Sequence, residues 1–476
     1  MTAIPIRLRG ETLPMTTELL EKYNVQGPRY TSYPTAPEWN EGIGAKDYVE
    51  ACDRANAKKS PVSLYAHLPF CDEQCWFCGC FMKVVPKPER KGDDRAEIEP
   101  YLADLHKEID LLAKRIDASR SIEQVHWGGG TPTYLTPVQA DRLAQHLLET
   151  FKPAKGAEVS VEVDPRVTTA KHLEVLRNRG FNRVSMGVQD FDPEVQELVN
   201  RIQPFDMTKA LVDAARALRY ASVNLDMIYG LPGQTRAGFE ASVEQIISLR
   251  PDRVAMYSYA HVPWLKRPQR VLAAHLPEGT EKFAIFVSGI ERFVAAGYVY
   301  IGMDHFALPH DEIVKAQRDR TLTRNFQGYT THAGCDLYGM GVSAIGTLDD
   351  AYVQNTKDYG EYHAAMDAGR FATVKGCRLS EDDVLRGEVI TRLLCHCVID
   401  KRDVEKTFSL KSFDETFAHA VARLPEFVND GMVEVTPDEI RVTSMGRIFI
   451  RNVAMLFDAY LEKKTADAPK IFSRTL

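Results

Sequence analysis

From residue 63 onward the chain repeats one pattern: a short apolar or β-branched run, a polar break, then a stretch with apolar residues three and four positions apart. The short runs lie at 63–68, 124–127, 159–163, 183–188, 222–228 and 253–259, and their length and composition predict strands. The intervening stretches at 98–115, 137–151, 169–179, 208–219, 236–249 and 281–296 carry the period of an amphipathic helix. Six β/α units in series call for parallel strands joined by crossover helices, as a barrel or a doubly wound sheet.

Polar residues favour the barrel. Tyr65, His67, Gly128 to Gly130, Glu162, Gln189, Asp226 and Tyr259 fall near or just beyond the C-terminal ends of successive runs. In a β/α barrel those ends converge on one face, where chemistry is built. The expected fold is therefore α/β, an open or partial (β/α)6 barrel over residues 61–360. The first sixty residues, turn-rich at Gly27-Pro28-Arg29-Tyr30 and Tyr33-Pro34 with a short helix near 46–57, read as a wrapping arm and candidate lid. Residues 361–476 read as a mostly helical, winged-helix-like domain: helices near 381–394 and 413–424, a hairpin near 432–442 and a last helix from Thr443-Ser444.

Composition narrows the function classes. With 44% hydrophobic and 26% charged residues the chain is an ordinary globular one, and its net charge of −7 gives no footprint for general nucleic-acid binding. The last domain mixes Asp438, Glu439 and Asp458 with Arg441, Arg447 and Arg451, which favours a packing role over DNA binding. The N-terminus has no unbroken apolar segment of the secretory kind, and no stretch is long and apolar enough to span a bilayer. Nine cysteines is an odd number, and four crowd one loop while the rest scatter, which fits a reducing cytoplasm better than a disulfide framework.

That loop, Cys71-Asp-Glu-Gln-Cys75-Trp-Phe-Cys78-Gly-Cys80, directly follows the first predicted strand. Three thiolates at this spacing can hold three irons of a cubane cluster and leave the fourth open; a four-cysteine zinc knuckle that includes Cys80 is the competing reading. The triplet Gly128-Gly129-Gly130 follows the second strand, where residues without Cβ permit close backbone approach. Together the CxxxCxxC loop with Phe77 before its third cysteine and the glycine turn one strand later resemble the radical S-adenosylmethionine superfamily. Further segments extend the resemblance over nearly the whole chain: Gly27 to Thr35, Tyr65 to Cys71, Cys78-Gly-Cys80, His126 to Thr133, Glu162 to Pro165, Ser185 to Asp190, Asp226 to Pro232, Tyr259 to His261, Gly302 to Phe306, Asn325 to Tyr329 and Gly339 to Ile345. In that order they resemble the oxygen-independent coproporphyrinogen III oxidase family.

The resemblance implies a [4Fe–4S] cluster on Cys71, Cys75 and Cys78, with Cys80 not a ligand, and two S-adenosylmethionine molecules. The first would meet Tyr65, Gly129, Glu162 and Ile345, and the second Phe77, Gly130, Thr131, Gln189, Arg201, Asp226 and Ala260; Tyr65, Glu162 and Asp226 are the catalytic candidates. Residue chemistry agrees: Glu162 and Asp226 can accept from an amino group or ribose hydroxyls, while Gln189 and Arg201 can donate to a carboxylate. The implied reaction uses a 5′-deoxyadenosyl radical to take a hydrogen from a propionate of coproporphyrinogen III. Loss of carbon dioxide and one electron leaves a vinyl group, and two rounds give protoporphyrinogen IX in haem biosynthesis. A one-electron donor such as a flavodoxin or ferredoxin, a monomeric state and a cytoplasmic location are expected. A haem-binding chaperone or a haem-utilisation enzyme of the same superfamily is the alternative, which the arm and the Cys78-Gly-Cys80 ending disfavour. Cys395-His396-Cys397 lies in a helical run where i and i+2 do not share a face, so no metal site is expected there. The basic run Lys83, Lys87, Arg90 and Lys91 reads as a solvated loop.

Overall fold

Along the six strands one set of alternate residues is apolar and the other polar. The structure, a computed structural model, describes residues 3–8, 11–85, 95–463 and 472–475. It contains β1 (Val62–Leu68), β2 (Ile122–Gly129), β3 (Glu158–Val163), β4 (Arg183–Gln189), β5 (Ser222–Tyr229) and β6 (Arg253–Ser258). Leu64, Trp127, Val161, Met186, Leu225 and Met256, one from each strand, are fully buried on the side covered by the crossover helices. Their neighbours in sequence, Ser63, His126, Ser160, Ser185, Asn224 and Tyr257, point the other way and line the lumen.

The helices are α1 (Glu99–Ala113), α2 (Pro137–Phe151), α3 (Ala170–Arg179), α4 (Phe205–Ala217), α5 (Arg236–Leu249) and α6 (Gly279–Ala295). Three begin on a threonine: the hydroxyls of Thr136, Thr169 and Thr235 accept from the amides of Gln139, His172 and Gly238, each cap contributing about 1 kcal/mol. Each helix ends close to where its apolar period runs out.

The strands β1 to β6 lie side by side in sequence order, every neighbour parallel. The sheet is larger than the six units. On the β6 side it gains β7 (Val299–Gly302) and β8 (His305–Ala307), both in antiparallel pairs. A separate hairpin, β9 (Thr323–Asn325) and β10 (Gly328–Thr330), follows. Then β11 (Asp336–Met340) adds parallel to β1, and β12 (Ile345–Leu348), β13 (Ala351–Asn355) and β14 (Thr373–Arg378) continue antiparallel. The resulting twelve-stranded sheet has β7 and β14 as its two edges, so the barrel stays open. The added strands are three to six residues long, too short to carry a period of their own. They also move the boundary expected after residue 360, because β14 pairs with β13 inside the main sheet and the helix Tyr359–Asp367 packs on α1. The C-terminal unit starts at the helix Glu381–His396, capped by Ser380.

That unit is mostly helical around a small sheet of Val398–Asp400, Glu439–Val442 and Val433–Val435. It clamps the N-terminal segment. Arg451, buried, donates Nε to the carbonyl of Pro28 at 3.0 Å and a second nitrogen to that of Gly27. The Tyr30 hydroxyl donates to Asp458 at 2.8 Å, and Tyr33 accepts from the Ala459 amide at 3.0 Å. Tyr30 and Tyr33 are both buried, and Tyr23 packs against Phe427 and Phe449. The first sixty residues also hold a hairpin of Ala3–Leu8 and Glu11–Thr16, a helix Thr17–Tyr23 and a helix Ala45–Lys58. The wrapping arm is a packed strap between barrel and C-terminal unit, since its aromatic residues belong to the core.

Candidate functional site

Register brings the lumen residues together. Tyr65 is paired with His126 and His126 with Ser160; Glu162 is paired with Ser185 and Ser185 with Asn224; Gly187 is paired with Asp226. The Tyr65 and His126 rings stack with centroids 5.9 Å apart. His126 lies 2.7 Å from Ser160 Oγ and 3.2 Å from Glu162 Oε1, so donating Nε2–H to the carboxylate leaves Nδ1 to accept from the serine. The Gly129 amide donates to Glu162 Oε2 at 3.3 Å. Burial raises the Glu162 pKa, but the hydrogen bonds from His126 and Gly129 outweigh it and hold the carboxyl below its ordinary value. Its side chain is still 46% exposed, open to the lumen.

Asp226 is set the opposite way. Burial first, and the nearby Glu162 charge second, push its carboxyl from 3.8 up to about 7, against hydrogen bonds from Asn224 at 2.7 Å and Ser185 at 3.2 Å. At neutral pH one carboxylate is charged while its neighbour is poised between states, the division by environment that assigns two carboxyls different roles.

The cysteine loop caps this lumen at the end of β1. Cys71 Sγ lies 3.5 Å from Thr131 Oγ1, and burial pushes its thiol up to about 12. Cys75 Sγ accepts from two guanidinium groups, Arg166 at 3.3 Å and Arg201 at 3.4 Å, and both also grip Asp164, at 2.7 and 2.9 Å. These cations outweigh burial and draw the Asp164 carboxyl down to about 2. Hydrogen bonding from Cys80 brings Cys78 down to about 6, and Cys80 itself stays protonated. No three of the four sulfurs lie within 4.8 Å of one another. A lone tetrahedral zinc with bonds of about 2.3 Å needs sulfurs about 3.8 Å apart, closer than any three of these four stand; an iron–sulfur cluster is the other group that thiolates of this spacing hold. Two guanidinium groups at one sulfur suit the negative charge such a cluster brings.

The other expected contacts fall around the same mouth. Arg201 is buried, donates to the Gly187 carbonyl at 2.7 Å and keeps its Nε without an acceptor, a donor left for a ligand carboxylate. Gln189 ends β4 at φ 72°, beside Gly187. Phe77 and Ala260 are tied together by Gln269, whose Nε2 donates to both carbonyls at 2.9 and 3.1 Å. Ile345 opens β12 against Gly339, the residue paired with Tyr65. The protein itself also crowds the glycine turn. A Cβ on Gly128 would meet Glu162 and Tyr65, one on Gly129 the His67 ring, and one on Gly130 the backbone of Pro69. The triplet is thus required first by the protein's own packing.

Sequence reasoning missed His126, Ser160, Asn224, Ser185, Asp164 and Arg166. The period of two along the strands marks the first four, and Asp164 with Arg166 follows Glu162 so closely that they read as a turn. The Cys395-His396-Cys397 run holds no metal group among the described residues: Cys395 is buried and His396 meets the Leu322 carbonyl at 2.9 Å. Lys83 lies over the Tyr359 ring, and Lys87, Arg90 and Lys91 lie outside the described residues.

Comparison with known proteins places these features. The radical SAM superfamily model matches residues 65–246. The chain is 44% identical over 455 residues to the oxygen-independent coproporphyrinogen III oxidase of Pseudomonas aeruginosa, covering 95% of this chain and 97% of that one. It is 44% identical over 447 residues to the enzyme of the same name from Escherichia coli, covering 94% and 95%. A solved structure of coproporphyrinogen III oxidase from Escherichia coli, described as a radical SAM enzyme, superposes with a TM-score of 0.85 at 43% identity over 91% of this chain and 97% of that one.

Proposed function

The chain belongs to the oxygen-independent coproporphyrinogen III oxidase family of the radical SAM superfamily, and from that premise we propose how its residues divide the work. The activity is the oxidative decarboxylation of coproporphyrinogen III to protoporphyrinogen IX, with a [4Fe–4S] cluster and S-adenosylmethionine as cofactors. When bound, the cluster supplies the electron and S-adenosylmethionine the hydrogen-abstracting power that no side chain possesses.

Cys71, Cys75 and Cys78 hold the cluster, and Cys80 supports Cys78 without ligating. Arg166 and Arg201 stabilise charge at the Cys75 sulfur, and Asp164 holds both guanidinium groups in place. One S-adenosylmethionine lies against Tyr65, Gly129, Glu162 and Ile345, where the ionised Glu162 accepts from its amino group. A second lies against Phe77, Gly130, Thr131, Gln189, Arg201, Asp226 and Ala260, where the free Nε of Arg201 donates to a carboxylate and Asp226 accepts from hydroxyls. The catalytic candidates Tyr65, Glu162 and Asp226 touch these cofactors, and cofactor and substrate filling the lumen would exclude water from a reactive carbon centre. The observation that carries the reading is Cys75 Sγ under two guanidinium groups, one of which ends in an unpaired buried donor beside Asp226's strand.

A reducing cytoplasm is supported by nine cysteines that are all free thiols. A flavodoxin or ferredoxin is the proposed donor, supported by the cluster loop lying at the surface with Trp76 exposed, and the protein is proposed to act as a monomer. Equilibrium binding of labelled S-adenosylmethionine to the anaerobically reconstituted protein tests the two-site assignment. Two molecules per chain are expected, and one in each of Glu162→Gln and Arg201→Ala with iron content unchanged. One molecule in the parent, or two in both variants, would overturn it.

A further inference from the structure

The hairpin of β9 and β10 lines the lumen and carries an arginine that makes no ion pair among the described residues. Arg324 is paired across the hairpin with Tyr329, and its guanidinium lies over that ring at 5.1 Å. Its Nε and one terminal nitrogen are buried without an acceptor. The acidic side chains that share its cavity are engaged elsewhere: Asp349 by Arg54 and Lys58, Asp383 by Ser380 and Tyr460, and Glu388 by Arg392. Asp304, in the neighbouring wall, is held by Arg29 at 3.0 Å. Ser32, from the N-terminal strap, lines the same cavity, is only 8% exposed, and its Oγ is also buried without a partner.

Arg324 is only partly buried, but two of its donors are shut away from water without an acceptor, a cost that calls for a use. The fork of a guanidinium together with a hydroxyl is built for a planar carboxylate. This cavity continues into the lumen, since Gln124, Asn325 and Thr330 line both it and the space walled by Glu162 and Asp226. His305 and Gln327, in the wall of the lumen, each leave one buried polar atom unpaired as well.

Resting on the reading of the previous section, we propose that Arg324, assisted by Ser32, anchors a non-reacting propionate carboxylate of coproporphyrinogen III while another propionate is presented to the site at Glu162 and Asp226. The hairpin then acts as a ruler that sets which side chain of the macrocycle reaches the cofactors. The carboxylate of S-adenosylmethionine is the other ligand with the same chemistry, and the experiment separates them.

The reconstituted, cluster-bearing protein is titrated with coproporphyrin III, a redox-stable analogue followed by fluorescence, and with its tetramethyl ester, which lacks the charges. Arg324→Ala is expected to weaken binding of the free acid at least tenfold, about 1.4 kcal/mol, and to leave ester and S-adenosylmethionine binding unchanged. In turnover its KM for coproporphyrinogen III rises more than its kcat falls, Arg324→Lys is intermediate, and added guanidinium partly restores Arg324→Ala. Ser32→Ala, which keeps the guanidinium, is expected to weaken acid binding about threefold, and with Arg324→Lys it serves if Arg324→Ala loses its cluster. Parental affinity for the free acid, equal loss for acid and ester, or an effect confined to S-adenosylmethionine would each overturn the proposal. A parent protein that never decarboxylates would instead remove the reading on which it rests.

Discussion

Replacing Asp226 by Asn tests the electrostatics of the lumen without touching the cluster. In the folded protein burial and Glu162 raise its carboxyl from 3.8 to about 7. A raised acid binds its proton in the native state at pH values where the unfolded chain has lost it, so stability falls as pH climbs between those two values. Below about pH 4 both states are protonated and the Asn variant, a mimic of the neutral acid, matches the parent. Above pH 7 the full penalty is present. Roughly three units at 1.36 kcal/mol each set an upper figure of about 4 kcal/mol, which the solvent reaching the lumen reduces. For a chain of this length that corresponds to a midpoint shift of about 4 °C or less. Thermal unfolding of parent and Asp226→Asn, both cluster-loaded and free of S-adenosylmethionine, is followed anaerobically from pH 5 to 8.5. The variant is expected to gain on the parent steadily as pH rises and to level off near pH 8. A stability difference independent of pH, or a variant that loses ground with rising pH, would refute the assignment of a raised Asp226.

Two further outcomes follow. Cys71→Ala, Cys75→Ala and Cys78→Ala should each lose the cluster, measured as iron per chain and visible absorbance after reconstitution, whereas Cys80→Ala should keep it; loss in Cys80→Ala with retention in one of the others would reverse the ligand assignment. Tyr30→Phe should cost about 1–3 kcal/mol in chemical denaturation, because a buried hydrogen bond from the hydroxyl to the Asp458 carboxylate is lost, and an unchanged midpoint would show that this contact does not hold the strap in place.

The parallel core was legible because each of its strands and helices is long enough to display a period, and α2 and α5 end where their apolar spacing ends. The strands from Val299 to Arg378 were not, since three to six residues buried by neighbours distant in sequence show neither alternation nor turn signals. The cysteines and the glycine triplet were legible from their spacing taken together with the family resemblance, but their partners were not. Asp164 matters through Arg166 and Arg201, and Arg201 comes from beyond the end of β4, so only the fold reveals that two guanidinium groups held by one carboxylate meet at one sulfur. The packing of the strap was not legible for a related reason: Tyr30 and Tyr33 are explained by Asp458 and Ala459, more than four hundred residues away.

This lumen decarboxylates two propionates of one tetrapyrrole. The most direct measurement is the stoichiometry of an anaerobic reaction of the reconstituted protein with coproporphyrinogen III, S-adenosylmethionine and a low-potential reductant. Two carbon dioxide and two 5′-deoxyadenosine are expected for each protoporphyrinogen IX formed, with none of the three from Cys75→Ala. Stoichiometric haem binding without carbon dioxide release, by protein carrying its full cluster, would contradict it.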